Sequence, residues 1–145
     1  MRISKTFTFD AAHRLIDTRL TDRENLEAFG KCCRVHGHTY TLEVAVESNE
    51  LRRGMVMNFV DLAKVVHDEI LERWDHVFLN AVPPFNAADG LLPTAENMVV
   101  FVADALSAAL VNLNQQQGRG KYNAIRLAEV TIWETPTSKA SLQLS

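Results

Sequence analysis

Two histidines stand one residue apart in Cys32-Cys33-Arg34-Val35-His36-Gly37-His38, at the head of a stretch whose side chains alternate in character. His36, His38, Tyr40, Leu42, Val44 and Val46 share one parity; Thr39, Thr41, Glu43 and Glu47 share the other, with Ala45. A period of two marks a half-buried β-strand, so 36–47 is expected as a strand with both imidazoles on its apolar face. Imidazoles facing one way supply two of the three protein ligands of an open zinc site.

A second stretch repeats the pattern. Ile3, Phe7, Phe9, Ala11 and His13 alternate with Ser4, Thr6, Thr8 and Asp10, Lys5 being the one polar residue on the apolar side. If the two strands pair antiparallel, the end of the first meets the start of the second. His13 then approaches His36 and His38, and the three make a metal-binding tripod, with Zn2+ the expected ion.

The remaining elements follow from punctuation and period. Residues 14–35 read as a long polar loop with a helical turn near Asp22–Phe29, and Gly30 permits a bend before Cys32. Asn58 is a candidate N-cap for a helix to about Trp74, with Phe59, Leu62, Val66, Ile70 and Trp74 at helical spacing. Pro83, Pro84, Gly90 and Pro93 mark a loop. Thr94 then caps a helix with the stripe Met98, Val102, Ala105, Leu106, Ala109 and Leu113, and a polar turn over 114–120 ends it. The last strands are expected over 124–134 and 138–144, separated at Pro136. The parity break between Leu127 and Val130 calls for a bulge near Ala128–Glu129. The order β-β-α-α-β-β is α+β: a four-stranded antiparallel sheet with two helices on one face, in one domain over 1–145.

A formal charge of −3 gives no basic field, so nucleic acid is not the expected partner. The only cysteines, Cys32 and Cys33, are adjacent and form no disulfide framework, which fits a reducing, cytoplasmic compartment. The N-terminal residues lack the apolar run of a signal peptide, and the apolar stretch 99–111 is broken by Asp104 and short for a bilayer, so no membrane association is expected.

Beyond the histidines, a Cys32 or Cys33 thiolate can be a fourth zinc ligand closing a structural site, a base or nucleophile beside the metal, or a small buried hydrophobe; Lys31 and Arg34 favour a thiolate. A non-catalytic, zinc-stabilised binding module is therefore one reading of the cluster. Asp75-His76 can be a carboxylate-oriented imidazole that moves protons, or a helix-end cap. Glu134 continues the inward face of Val130 and Ile132, where it can accept the N–H pair of a heterocycle or pair with an arginine.

Six segments occur in order: Phe7-Thr8-Phe9-Asp10-Ala11-Ala12-His13-Arg14-Leu15, the Cys-x3-His-Gly-His of 32–38, Met55-Val56-Met57-Asn58-Phe59-Val60-Asp61-Leu62, Trp74-Asp75-His76, Pro93-Thr94-Ala95-Glu96-Asn97 and Trp133-Glu134-Thr135-Pro136-Thr137-Ser138. Together they resemble the 6-pyruvoyltetrahydropterin synthase / 6-carboxytetrahydropterin synthase family across nearly the whole chain. The resemblance implies the tunnelling fold, with sheets joined into a barrel and a homo-hexamer built as a dimer of trimers, active sites lying between subunits. It implies zinc on His13, His36 and His38, Cys32 as catalytic base with Asp75 and His76, Glu134 as the pterin anchor, and 7,8-dihydroneopterin triphosphate as substrate. The Cys-x3-His spacing resembles the carboxy branch of the queuosine pathway, which releases triphosphate and acetaldehyde. Glu24-Asn25-Leu26, Phe29-Gly30-Lys31-Cys32 and Thr94-Ala95-Glu96-Asn97 resemble the pyruvoyl branch, the alternative. Trp74 and Lys139 depart from the family's usual Leu and aromatic, and Cys33 inherits no role from it.

Overall fold

The computed structural model describes residues 1–116 and 120–144. Strand β1 (Arg2–His13) pairs antiparallel with β2 (His36–Glu47) along its whole length, from Arg2 opposite Glu47 to His13 opposite His36. Strand β4 (Arg126–Thr135) pairs antiparallel with β2, and β5 (Ser138–Gln143) with β4. Glu129 faces Ala45 and Leu127 faces Val46, which leaves Ala128 as the extra residue of the expected bulge.

The sheet is not the expected four antiparallel strands. Val77–Phe78 forms a fifth, β3, which runs parallel to β1 against Ala11 and Ala12, giving the order β3-β1-β2-β4-β5. Two residues have no readable period, so only the packing of the preceding helix against β1 delivers them to that edge.

Helix α1 (Asp22–Phe29) starts at a capping box, in which Thr21 accepts from Glu24 N–H and Glu24 reaches back to Thr21 N–H. Gly30, at φ 57° and ψ −135°, ends it in a conformation that glycine alone adopts readily. The helix expected after Asn58 runs as α2 (Phe59–Val66), a π-helical turn (His67–Leu71) and α3 (Glu72–Trp74), with Asn58 Oδ1 accepting from Val60 N–H at 2.8 Å. Leu62, Val66, Ile70 and Trp74 are buried as their spacing requires, whereas Phe59 is half-exposed. Trp74 is enclosed by Phe9, Phe85 and Phe101, so its bulk serves the core. Helix α4 (Ala95–Gln116) packs on β4 and β5 through Met98, Val102, Leu106 and Leu110. Its 22 residues are long enough to cross a bilayer, but that apolar stripe is spent on the sheet. The polar turn expected over 114–120 falls partly outside the described residues, and the helix itself continues to Gln116.

The chain between α4 and β4 is tied to α2. Asp61 accepts from Lys121 Nζ at 2.6 Å and from the Tyr122 hydroxyl, which itself accepts from Asn58 N–H at 3.1 Å. The Lys121 bond, then that of Tyr122, holds the Asp61 carboxyl below its ordinary 3.8. A lowered carboxylate pKa adds stability that is present above pH 3.8 and lost as pH falls through the folded value. Asp61→Asn is therefore expected to cost about 1 kcal/mol in urea unfolding at pH 7. The difference from the parent should shrink below about pH 4; a constant difference across pH would show that charge is not its source.

Candidate metal centre and its flanking groups

The β1–β2 register decides the centre. His13 lies directly opposite His36, and His38 is two residues along the same face, opposite Ala11. The rings form a near-equilateral triangle, with centroid separations of 4.6 Å (His13–His36), 5.1 Å (His13–His38) and 5.0 Å (His36–His38), packed edge to face. Each ring offers a nitrogen within 4.8 Å of the other two.

The surroundings fix the proton on two of the rings. His13 Nδ1 lies 2.8 Å from Pro93 O, and His36 Nδ1 lies 2.7 Å from Arg34 O. A carbonyl only accepts, so Nδ1 carries the hydrogen in both, and in the neutral ring Nε2 keeps its lone pair for a metal. The Tyr40 hydroxyl, 3.4 Å from His13 Nδ1, backs the same ring; burial pushes its pKa up and keeps the phenol neutral. Burial also lowers the pKa of His13 and of His38, against the opposing pull of Glu134, so both favour the unprotonated form that a metal requires.

Two buried nitrogens, His13 Nε2 and His38 Nε2, have no hydrogen-bond partner among the described residues. Orphaned buried polar atoms are costly, and a cation bound by the three lone pairs would satisfy them. The donor set therefore fits a metal. Among the described residues no cysteine joins the three imidazoles in the ligand group, so a fourth position stays open in one chain. A closed Cys–His site of the binding-module reading would need a thiol to join this group.

Glu134 reaches the centre from β4. Its Oε1 lies 3.4 Å from His38 Nε2, a contact that is ionic only with a protonated ring and that lacks hydrogen-bond geometry. It sits at a second register shift, between Trp133 opposite Lys139 and Thr135 opposite Ser138, and such irregularities re-aim side chains. A groove of about 610 Å³ runs past it, lined among others by His38, Thr41, Trp133, Glu134 and Thr135. Lys139 stands over the Trp133 ring, 5.2 Å from its centroid.

Asp75 and His76 lie across β1 and β2 from Glu134, where β3 meets β1. Asp75 Oδ1 accepts both His76 Nδ1–H at 2.8 Å and Asp10 N–H at 3.0 Å, which leaves His76 Nε2 free. Those two bonds lower the Asp75 pKa, the Asp10 N–H having the larger effect. His76 has φ 60°, left-handed for a residue with a Cβ, and its own N–H is bonded to Asp10 O at 2.6 Å. The helix-end pair is therefore an oriented imidazole rather than a simple cap. Its groove is lined by Asp10, Gly37, His38, Thr39 and His76, so the two grooves meet at Gly37–Thr39.

Cys32 sits in a 3-10 turn (Gly30–Cys33), half-buried, and its carbonyl accepts Leu15 N–H at 2.8 Å. Among the described residues no hydrogen bond joins its thiol to Asp75 or His76. Cys33 donates its thiol to Asn25 O at 3.0 Å and is structural. Asn25, 2% exposed, accepts from Asp17 N–H and donates to the carbonyls of Asp17 and Thr21, while Asn80 clasps both backbone groups of Arg14. These two amides hold the loop that presents Cys32. Sequence reasoning gave them no role, because a buried asparagine has no period; their partners are backbone groups brought near by folding. Pro93 O was also missed, although Pro93-Thr94 was a signal: Thr94 caps α4 through Asn97 N–H at 3.2 Å and so aims the preceding carbonyl at His13.

A separate depression between α2 and α4 is lined by Asp61, Lys64, Asp68 and Lys121. These charges pair with one another, Lys64 with Asp68 and Lys121 with Asp61.

Compared with known proteins, residues 2–144 match the family model described as 6-pyruvoyl tetrahydropterin synthase. The chain is 39% identical over 111 residues to a 6-pyruvoyl tetrahydrobiopterin synthase of Poecilia reticulata, covering 74% of each. It is 37% identical over 114 residues to a 6-carboxy-5,6,7,8-tetrahydropterin synthase of Bacillus subtilis, covering 77% of this chain and 70% of the other. The structure of Caenorhabditis elegans 6-pyruvoyl tetrahydropterin synthase superposes with a TM-score of 0.80 at 30% identity, covering 100% of this chain and 96% of that one.

Proposed function

The chain belongs to the 6-pyruvoyl tetrahydropterin synthase family, whose named relatives are pterin synthases, and on that premise we propose that it is a zinc-dependent lyase. It would convert 7,8-dihydroneopterin triphosphate and one water to 6-carboxy-5,6,7,8-tetrahydropterin with loss of triphosphate and acetaldehyde. The open three-imidazole centre, with two orphaned buried nitrogens, carries the reading of a metal-dependent reaction. The Cys-x3-His spacing of 32–36 supports the carboxy product, because it resembles the carboxy branch of the family.

His13, His36 and His38 would hold Zn2+, which when bound supplies Lewis acidity toward the hydroxyls of the substrate side chain. The Cys32 thiolate removes a proton from that side chain. His76 Nε2, free because Asp75 holds Nδ1, carries protons to and from the side-chain oxygens. Glu134 accepts the N–H pair of the pterin ring, fixing the reacting carbons relative to thiol and imidazole. Arg14, Lys31 and Arg34 are exposed, form no salt bridge among the described residues, and suit the triphosphate.

Each groove is open on one side, and β3 covers only two residues of the β1 edge. Both facts support an oligomer, a hexamer of paired trimers with joined sheets, in which a neighbouring chain completes the site.

The deciding experiment supplies dihydroneopterin triphosphate to the zinc-loaded protein and identifies the products. Carboxytetrahydropterin with stoichiometric acetaldehyde supports the proposal. Pyruvoyltetrahydropterin without acetaldehyde establishes the second reading, which the 39% identity to a pyruvoyl-named relative favours. No triphosphate release would reject both. Glu134→Ala should raise KM roughly 10- to 100-fold, the worth of a charge-assisted contact, with metal content unchanged. An unaltered KM removes the anchor role.

A further inference from the structure

One carboxylate beside His76 has no part in the roles above. Asp10 holds the Asp75–His76 pair through its backbone: its N–H binds Asp75 and its carbonyl binds the His76 N–H. Those bonds do not need the Asp10 side chain, yet that side chain is also fixed. Thr39 Oγ1 donates to Asp10 Oδ1 at 2.5 Å, and Thr39 is the residue directly opposite Asp10 in the strand pair. A carboxylate at the exposed face of a strand is free to turn to solvent. This one is held at the groove it shares with His76 and His38. Asp10, Asp75 and His76 each present an atom within 4.8 Å of the other two. Two carboxylates so close repel one another, and a positive charge on the neighbouring imidazole relieves the repulsion.

We propose that Asp10 is a positioning residue for proton transfer at His76, its carboxylate, pinned by Thr39, serving with Asp75 as a second counter-charge to the imidazolium formed when His76 takes the proton. Asp75 selects the tautomer and Asp10 supplies field alone. The proton moves from substrate to His76 Nε2 and back to a side-chain oxygen, so no further reactant is required. This role in turnover rests on the pterin synthase reading.

The test compares wild type, Asp10→Asn and Asp10→Glu in zinc-loaded protein. Asparagine still accepts the Thr39 hydroxyl but carries no charge. With dihydroneopterin triphosphate, Asp10→Asn should lower kcat about five- to tenfold with KM within twofold, and raise the solvent deuterium isotope effect on kcat; Asp10→Glu should restore most of the rate. A second arm needs no substrate. Diethyl pyrocarbonate acylates neutral imidazole, so at neutral pH the His76 peptide should be modified at least twofold faster in Asp10→Asn than in wild type, and at the wild-type rate in Asp10→Glu. An unaltered modification rate in Asp10→Asn overturns the proposal whatever the turnover. Failure of the wild type to release triphosphate would reject the functional reading instead, and the modification rates would still decide the placement of charge at His76.

Discussion

His38→Ala is expected to abolish both metal binding and turnover while leaving the fold intact. His38 would supply one of the three proposed ligand nitrogens, and its Nε2 is buried without a hydrogen-bond partner among the described residues. Loss of an outer-shell partner at a metal site costs roughly 10- to 100-fold in affinity or activity, and loss of a ligand from a set of three costs more. The core does not depend on the imidazole: Tyr40, Leu42, Val44 and Val46 continue the buried face of β2 without it. Metal analysis of purified wild type and variant, with far-UV circular dichroism as the check on folding, reads the outcome. One equivalent of tightly held zinc in a folded His38→Ala protein would sink the tripod.

Cys32→Ala is expected to separate chemistry from metal binding. Among the described residues no sulfur joins the imidazole group, so zinc content should equal wild type, while kcat falls by about 10²- to 10⁴-fold, the usual worth of a positioned general base. Coupled loss of zinc would make Cys32 a ligand and revive the closed-site module. Undiminished turnover would move the base elsewhere. The neighbouring thiol is the internal control: Cys33 is spent on Asn25 O, so Cys33→Ala should keep kcat within severalfold.

Two grooves meet at Gly37–Thr39. Glu134 stands on the β4 side and the Asp75–His76 pair on the β3 side, with the three clustered imidazoles between them. A molecule spanning from Glu134 to His76 would cross both β2 and β1. Asn80 holds the start of the Cys32 loop at Arg14, and Asn25 ties Asp17 to α1.

The sequence by itself determined the facing of the three imidazoles. A period of two put His13, His36 and His38 on apolar faces, and antiparallel pairing, assumed from the sequence and present in the structure, brings them together. It also determined the bulge at Ala128, because a parity break within one strand has no other cheap remedy. Only the tertiary structure decided what surrounds those residues. The fifth strand is two residues long, the Pro93 carbonyl reaches His13 across 80 residues of chain, and Asp10 and Thr39 read as ordinary outward-facing positions until the register paired them. Periodicity reports which way a side chain faces, a local property of the backbone. Which carbonyl, amide or carboxylate it meets there depends on contacts distant in sequence, and no spacing encodes those.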